Sequence, residues 1–319
     1  MWTWAEFAAD HATRLAGLDA TRGAGAALHF FIYDLQKIVV LIAVVAFVMA
    51  LIRGALPLAA IRTRLEGRGG HLLGYPAAAL FGALTPFCSC SSVPIFLGFI
   101  QARFPIGVAF AFLITSPLVN EIAVALMAAV FGWKLALAYA AAGIGLGISG
   151  GLTLTFLRAE RWLVPGAVAS AGDEAERTPV GWPARLRDAA ETSLFILRNI
   201  APWLLGALAL GAGLHGFVPA GFFERWFAGT GAWTVPLAAA AGLPLYVSAN
   251  ATVPLLEAFV AKGVPLGTAL AFLLSAVGVS LPELMMLRGV MTTRLLVLFS
   301  AVVLVGTTII GWLFNALHS

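Results

Sequence analysis

The sequence predicts an all-α integral membrane protein built from two inverted repeats, each three transmembrane helices plus a re-entrant broken-helix hairpin. Three observations predict it. Of the 319 residues, 61% are hydrophobic and 11% charged, with a mean hydropathy of +0.96. Soluble domains carry about a quarter charged residues, so most of this surface must face lipid. Two stretches, 72–102 and 226–256, each run 31 residues without Asp, Glu, Lys or Arg and carry a helix breaker near the middle. A shift of 160 residues superposes much of one half of the chain on the other. The formal charge of +4 is small and its basic residues fall between apolar runs, a pattern of membrane topology and not of nucleic-acid binding.

The first segment, residues 1–28, lacks the basic start of a cleaved signal peptide and is interrupted by Glu6, Asp10 and Arg14. Trp2, Trp4, Phe7, Leu15 and Leu18 give it the apolar side of a helix lying in the membrane interface. The first membrane repeat is expected over 29–157, a cytoplasmic linker over 158–190 and the second repeat over 191–319. Six runs, roughly 31–53, 105–130, 135–157, 194–215, 264–287 and 295–317, match the ~20 apolar residues that cross a ~30 Å hydrocarbon layer.

The two uncharged stretches do not fit that length. As straight helices each would be about 46 Å long, too long for one crossing and too short for two with a turn. Their breakers are TPFCSCSSVP at 85–94 and LPLYVSANATVP at 243–254, so each reads as two half-helices around a non-helical tip. Arginines orient them. Arg53, Arg62, Arg64 and Arg68 belong on the cytoplasmic face, as do Arg158, Arg161, Arg177, Arg185 and Arg187. Both groups reach that face only if 72–102 enters and leaves by it. Arg103, Arg288 and Arg294 then lie inside, Lys134, Arg225 and Lys262 outside, and both termini are periplasmic in an inner membrane.

The repeat is explicit. VPIFLGFIQARFPIGVAFAFL (93–113) meets VPLLEAFVAKGVPLGTALAFL (253–273) with nine of twenty-one positions identical. The register extends to Pro76 with Pro236, Gly82 with Gly242, Lys134 with Arg294 and Gly151 with Gly311. Three crossings per repeat is odd, so the second copy is expected upside down, with a site at the midplane between the repeats. Residues 170–190 form the one clearly polar stretch, read as a flexible tether.

Candidate chemistry concentrates at the hairpin tips. Two prolines, Pro86 and Pro94, prevent a continuous helix there. In extended backbone alternate side chains share a side, so Cys88, Cys90 and Ser92 are expected to point the same way. The 160-residue shift pairs them with Ser248, Asn250 and Thr252. These six are the substrate-binding candidates, on backbone tolerated in a membrane only where it is buried or lines a cavity. The alternative is a structural crossing point whose hydroxyls cap the half-helices. Two thiols one residue apart suit Cu(I), Zn(II), Hg(II) or trivalent arsenic, which makes Cys88 and Cys90 the metal-ligating candidates with the metal or metalloid as cargo. A buried cysteine also serves simply as a small hydrophobe.

FGALTPFCSCSSVPIFLGFI (81–100), FPIGVAFAFLITSPLVNEIAVAL (104–126) and the degenerate second copy resemble the predicted-permease family that includes the ArsP organoarsenical efflux permeases. The resemblance covers about residues 30–317. It implies a permease fold and points to export of trivalent arsenicals. Cys88 and Cys90, with Thr85, Pro86, Ser91 and Pro94 around them, are the residues that carry over.

Charges inside spans are costly and therefore functional candidates. Asn120 and Glu121 follow Pro117 deep within 105–130 and are expected to bind or relay a proton, with a structural ion pair as the alternative. Glu283 follows Pro282 in the equivalent span and is the third coupling candidate, with pairing to Arg288 as the alternative. Asp34 and Lys37 are expected to pair locally. Gly143, Gly147 and Gly151 form a close-packing face. The five histidines make no metal-ligand spacing, and no phosphate-binding loop is present in the sequence. No cofactor is expected. The partners expected are a small-molecule or metalloid substrate and the lipid bilayer, with no nucleic acid; homo-oligomerisation is compatible with the pattern. The expected function is a secondary transporter exporting a small soft or thiol-reactive solute, and not an enzyme. The alternatives are a permease for another small molecule with structural cysteines, and a membrane thiol redox enzyme. The last usually needs more shuttle cysteines than the two in this chain.

Overall fold

A computed structural model describes residues 3–17, 19, 23–55, 70–85, 89–101, 104–164, 231, 233–243, 245 and 249–318, with further single positions and short runs within 182–209. The described residues are helical apart from turns and one isolated bridge. Helix α1 (Thr3–Leu15) packs on α2 (Gly23–Ala55), which begins ahead of the boundary expected at residue 29 and contains the run 31–53. Phe7 and Leu15 of α1 are exposed while Ala9 and Thr13 face inward. At the α1–α2 contact Asp10 pairs with His29 at 3.0 Å, and the Lys37 ammonium lies over the Tyr33 ring.

The first uncharged stretch contains α3 (Gly70–Leu84) and α4 (Ser89–Gln101), and residues 86–88 of the expected tip lie outside the described residues. Then come α5 (Ile106–Leu118), α6 (Glu121–Phe131) and α7 (Trp133–Phe156). The second stretch is α8 (Thr234–Gly242) and α9 (Ala249–Ala261), followed by α10 (Leu266–Gly278), α11 (Leu281–Leu287) and α12 (Thr293–His318). The described residues of run 194–215 are helical up to residue 209. By length and composition α7, α12 and the α10–α11 pair qualify as membrane spans, and α5–α6 makes a fourth if its bend of 46° is one crossing. The expected straight spans 105–130 and 264–287 are therefore both broken, at Val119–Asn120 and Val279–Ser280.

Helices α5 and α10 are the centre. Every residue of α5 is buried, as is α10 from Gly267 to Gly278. Their apolar character all round suits helices enclosed by other helices. By contrast α7 and α12 keep large apolar side chains outward, among them Trp133, Leu137, Val297, Val305 and Ile309, as lipid-facing helices must.

Glycine sets how closely α5 and α7 approach. A Cβ added at Gly147 would come 2.9 Å from the Ala111 carbonyl oxygen, and one at Gly151 3.0 Å from the Ala111 Cβ. The equivalent Gly311 of α12 stands against Gly267 and Ala271 of α10 in the same way. Directions follow from such pairs. Tyr75 lies by Gly107 and Gly82 by Ser116, so α3 runs parallel to α5. Ser92 bonds Ser116, Phe96 packs on Phe110 and Phe99 on Phe104, so α4 runs back against it. Helices α3 and α4 are therefore antiparallel.

The packing pattern occurs twice. In the first half α3, α4 and α7 all pack on α5, and α3 also touches α7. In the second, α8, α9 and α12 pack on α10, and α8 touches α12. Between halves the contacts are reciprocal: α4 packs on α11 and α9 on α6, α5 meets α10 and α7 meets α12. Gly150 faces Val302 and Leu146 faces Gly306, so the corresponding helices α7 and α12 are antiparallel.

The start of the expected linker, ahead of the polar stretch 170–190, is folded. Arg158 adopts a left-handed conformation (φ 51°) and leads into a single 3-10 turn, Ala159–Trp162. Leu163 then bridges Met291, the Val164 N–H donates to the Val290 carbonyl at 2.9 Å, and the Trp162 carbonyl accepts from both the N–H and the hydroxyl of Thr292. Residues 170–181 lie outside the described set, and the described positions of 182–191 are helical, with Arg187 paired to Glu191 at 2.9 Å.

Candidate functional site

Four helices start at breaks near the centre of the fold. Helix α4 starts at Ser89 and α9 at Ala249; α6 starts after Asn120 and α11 after Ser280. Serine and asparagine favour these positions because their side chains accept from the otherwise unpaired N–H groups of a first turn. Asn120 does so, its backbone extended (φ −133°, ψ 161°) and its side-chain oxygen accepting from the Ala123 N–H at 2.7 Å. Ser280 plays the same part for the Glu283 N–H at a longer 3.4 Å. Just before the two breaks, Leu118 and Gly278 lie side by side: a Cβ on Gly278 would sit 2.7 Å from a Leu118 methyl. These residues are 160 apart, so equivalent positions of the two halves meet there. Both breaks flank that meeting point.

The tip candidates are placed as follows. Cys88 and Ser248 lie outside the described residues. Cys90 and Asn250 fall in the first turns of α4 and α9. From residue 89 the backbone is helical, so Cys90 and Ser92 do not alternate as in extended chain, because a serine-rich run suits a helix's first turn as well as it suits a loop. Ser92 is fully buried and hydrogen-bonds the Ser116 hydroxyl at 2.8 Å, tying α4 to the end of α5. Thr252, its counterpart, is likewise buried.

The coupling candidates separate. Asn120 is buried and is a helix cap. Glu121, expected deep in a span, is exposed as the first residue of α6. Glu283 is fully buried in the first turn of α11, the helix that packs on α4. Among the described residues no group of three His, Cys, Asp or Glu side chains converges.

Three residues of this region carried no expectation from sequence. Ser116 partners Ser92. Ser280 caps α11, and Ser-x-x-Glu over 280–283 is the signal that would have found it. Tyr139 of α7, buried, donates its hydroxyl to the Leu118 carbonyl beside the first break. That carbonyl would pair with the N–H of residue 122 in an unbroken helix.

Broken helices enclosed by lipid-facing ones, meeting at the junction of two like-packed halves, define a multi-pass membrane transport protein. The chain belongs to the ArsP predicted-permease family, whose model matches residues 24–316. It is 27% identical to the UPF0718 protein YraQ of Escherichia coli (strain K12) over 246 residues, covering 76% of this chain and 67% of that one. It is 20% identical to the UPF0718 protein MJ0584 of Methanocaldococcus jannaschii over 297 residues, covering 76% of this chain and 81% of that one. No solved structure matches it.

Proposed function

We propose that this chain is a secondary transporter of the inner membrane that exports a small, soft or thiol-reactive solute such as a trivalent organoarsenical. The observation that carries the transport reading is the meeting of two helix breaks at the equivalent residues Leu118 and Gly278. Non-helical backbone in that position supplies polar groups that an unbroken span would use internally. The antiparallel course of α7 and α12 supports an inverted relation between the repeats, and the out-and-back course of α3 and α4 supports a re-entrant hairpin. Together with the arginine pattern, these observations support periplasmic termini.

Cys88 and Cys90 are the soft ligands in this reading. Cys90 stands in the first turn of α4, where free N–H groups favour negative charge. A trivalent arsenical binds by displacing the thiol protons, and two sulfurs hold it less tightly than a closed set of three or four. Ser92, Ser248, Asn250 and Thr252 orient the remainder of the solute. Glu283, with Asn120 and Glu121 across the junction, couples movement to a proton.

The test is titration of the purified protein with phenylarsine oxide. One equivalent is expected to bind, and Cys88→Ser and Cys90→Ser are each expected to abolish binding with unchanged melting. Undiminished binding by both variants sinks the thiol site. Absence of binding by the wild type leaves a permease for another solute, with cysteines that only pack.

A further inference from the structure

The two breaks are alike in sequence register but not in how they are held. At the first, the Tyr139 hydroxyl takes up the Leu118 carbonyl, Asn120 caps α6 at 2.7 Å, and α6 packs along α7. At the second, the residue 160 on from Tyr139 is Phe299, which has no hydroxyl. The residue 160 on from Leu118 is Gly278, and its carbonyl cannot receive an i+4 bond because residue 282 is proline. Among the described residues no side chain donates to it. The cap of α11 is a longer 3.4 Å contact from Ser280, and among the described residues the packing of α11 on α12 is slight. The far end of α11 is nevertheless tied, through Val290 and Thr292, to Trp162 and Val164.

We propose that the junction works asymmetrically: the first break is a fixed abutment pinned by Tyr139, and the second is the joint about which α11 swings, carrying the buried Glu283. Tyr139 is then a positioning residue, and Phe299 is what leaves the second joint free. Glycine at 278 serves the same end, since it accepts backbone changes that a side chain would resist and leaves Leu118 room to slide past. Helix α11 behaves as a short lever, anchored at its turn and hinged at 278–280. Because α11 packs on α4, its swing bears on the helix whose first turn contains Cys90. This rests on the transport reading for its purpose but not for its test.

The test is hydrogen–deuterium exchange of the full-length protein in lipid nanodiscs, followed over 116–124 and 276–286 with no solute added. Segment 276–286 is expected to exchange at least about tenfold faster, the effect of one hydrogen bond more or less. Tyr139→Phe is expected to speed 116–124 by a similar factor and to leave 276–286 unchanged, whereas general destabilisation would speed both. Phe299→Tyr is expected to slow 276–286 and to lower phenylarsine oxide efflux while its binding persists. Equal exchange of the two segments in the wild type, including equal protection to the longest time, overturns the proposal. So does a Tyr139→Phe protein that exchanges like the wild type. A protein that never transports an arsenical but shows the exchange asymmetry overturns only the cargo.

Discussion

Asn315 shows how much single polar groups decide in this chain. Its side-chain oxygen accepts the Gly267 N–H at 2.7 Å while its amide donates to the Thr268 hydroxyl at 3.2 Å. It therefore caps the start of α10 from a neighbouring helix, at the position where the first half has Thr155 bonded to Tyr75. Asn315→Ala should lower stability by about 1 kcal/mol, the cost of a lost cap, and reduce the melting midpoint in detergent. An unchanged midpoint would mean that Gly267 finds another acceptor. Glu283 is the residue where burial and charge conflict most sharply, since a carboxyl held at the centre of a membrane protein is costly unless it is used. Glu283→Gln should insert and fold normally yet lose the dependence of efflux on a proton gradient. Gradient-dependent efflux at the wild-type rate would remove Glu283 from the coupling path and leave it a structural group.

At the scale of elements, glycine spacing governs the α5–α7 contact. Gly147→Leu pushes a side chain into the Ala111 carbonyl and the Thr115 side chain, and should cost about 2 kcal/mol or more through overpacking. The same change at Gly145, which has open space around a Cβ, should be nearly silent, and comparable losses at both would refute the packing account. This face was legible in the sequence because Gly143, Gly147 and Gly151 recur once per turn. The division of each uncharged stretch into two helices was legible too, since prolines fall in both breakers. The breaks at Val119 and Val279 were only half legible: hydropathy is continuous through them, and although Pro117 and Pro282 lie beside them, it takes the caps Asn120 and Ser280 to mark the new helix starts. The exposure of Glu121 was not legible. A hydropathy window averages over all sides of a helix, whereas exposure depends on how α9 packs against α6. The cysteine tip was half legible. Its composition fixed where the helix stops, but Ser-Cys-Ser-Ser suits a loop and a first turn equally.

At the scale of the molecule, each half completes the other. Helix α5 is sealed partly by α10, and α7 interlocks with α12 through Gly150, Val302, Leu146 and Gly306. A chain cut within 165–181 and expressed as two pieces should reassemble and co-purify, since no interhalf contact described above depends on those residues. Failure of the pieces to associate would show that the linker itself directs the pairing. Topology is tested separately by single cysteines placed near Arg68 and Arg103 in a background lacking Cys88 and Cys90. Both should react only from the cytoplasm, and reaction from opposite sides would sink the re-entrant hairpin.

The bridge between Leu163 and Met291 also acts as a clock. It joins a segment that leaves the ribosome midway through synthesis to one that follows 128 residues later, so it is absent until the chain is nearly finished. Until then the strip 162–164, which follows the exposed Arg158 and Arg161, lacks the partner that it pairs with in the finished fold. A nascent or truncated chain should be clipped there by trypsin, while the completed protein should resist. Protection of this strip therefore reports whether a chain has been finished or stopped halfway.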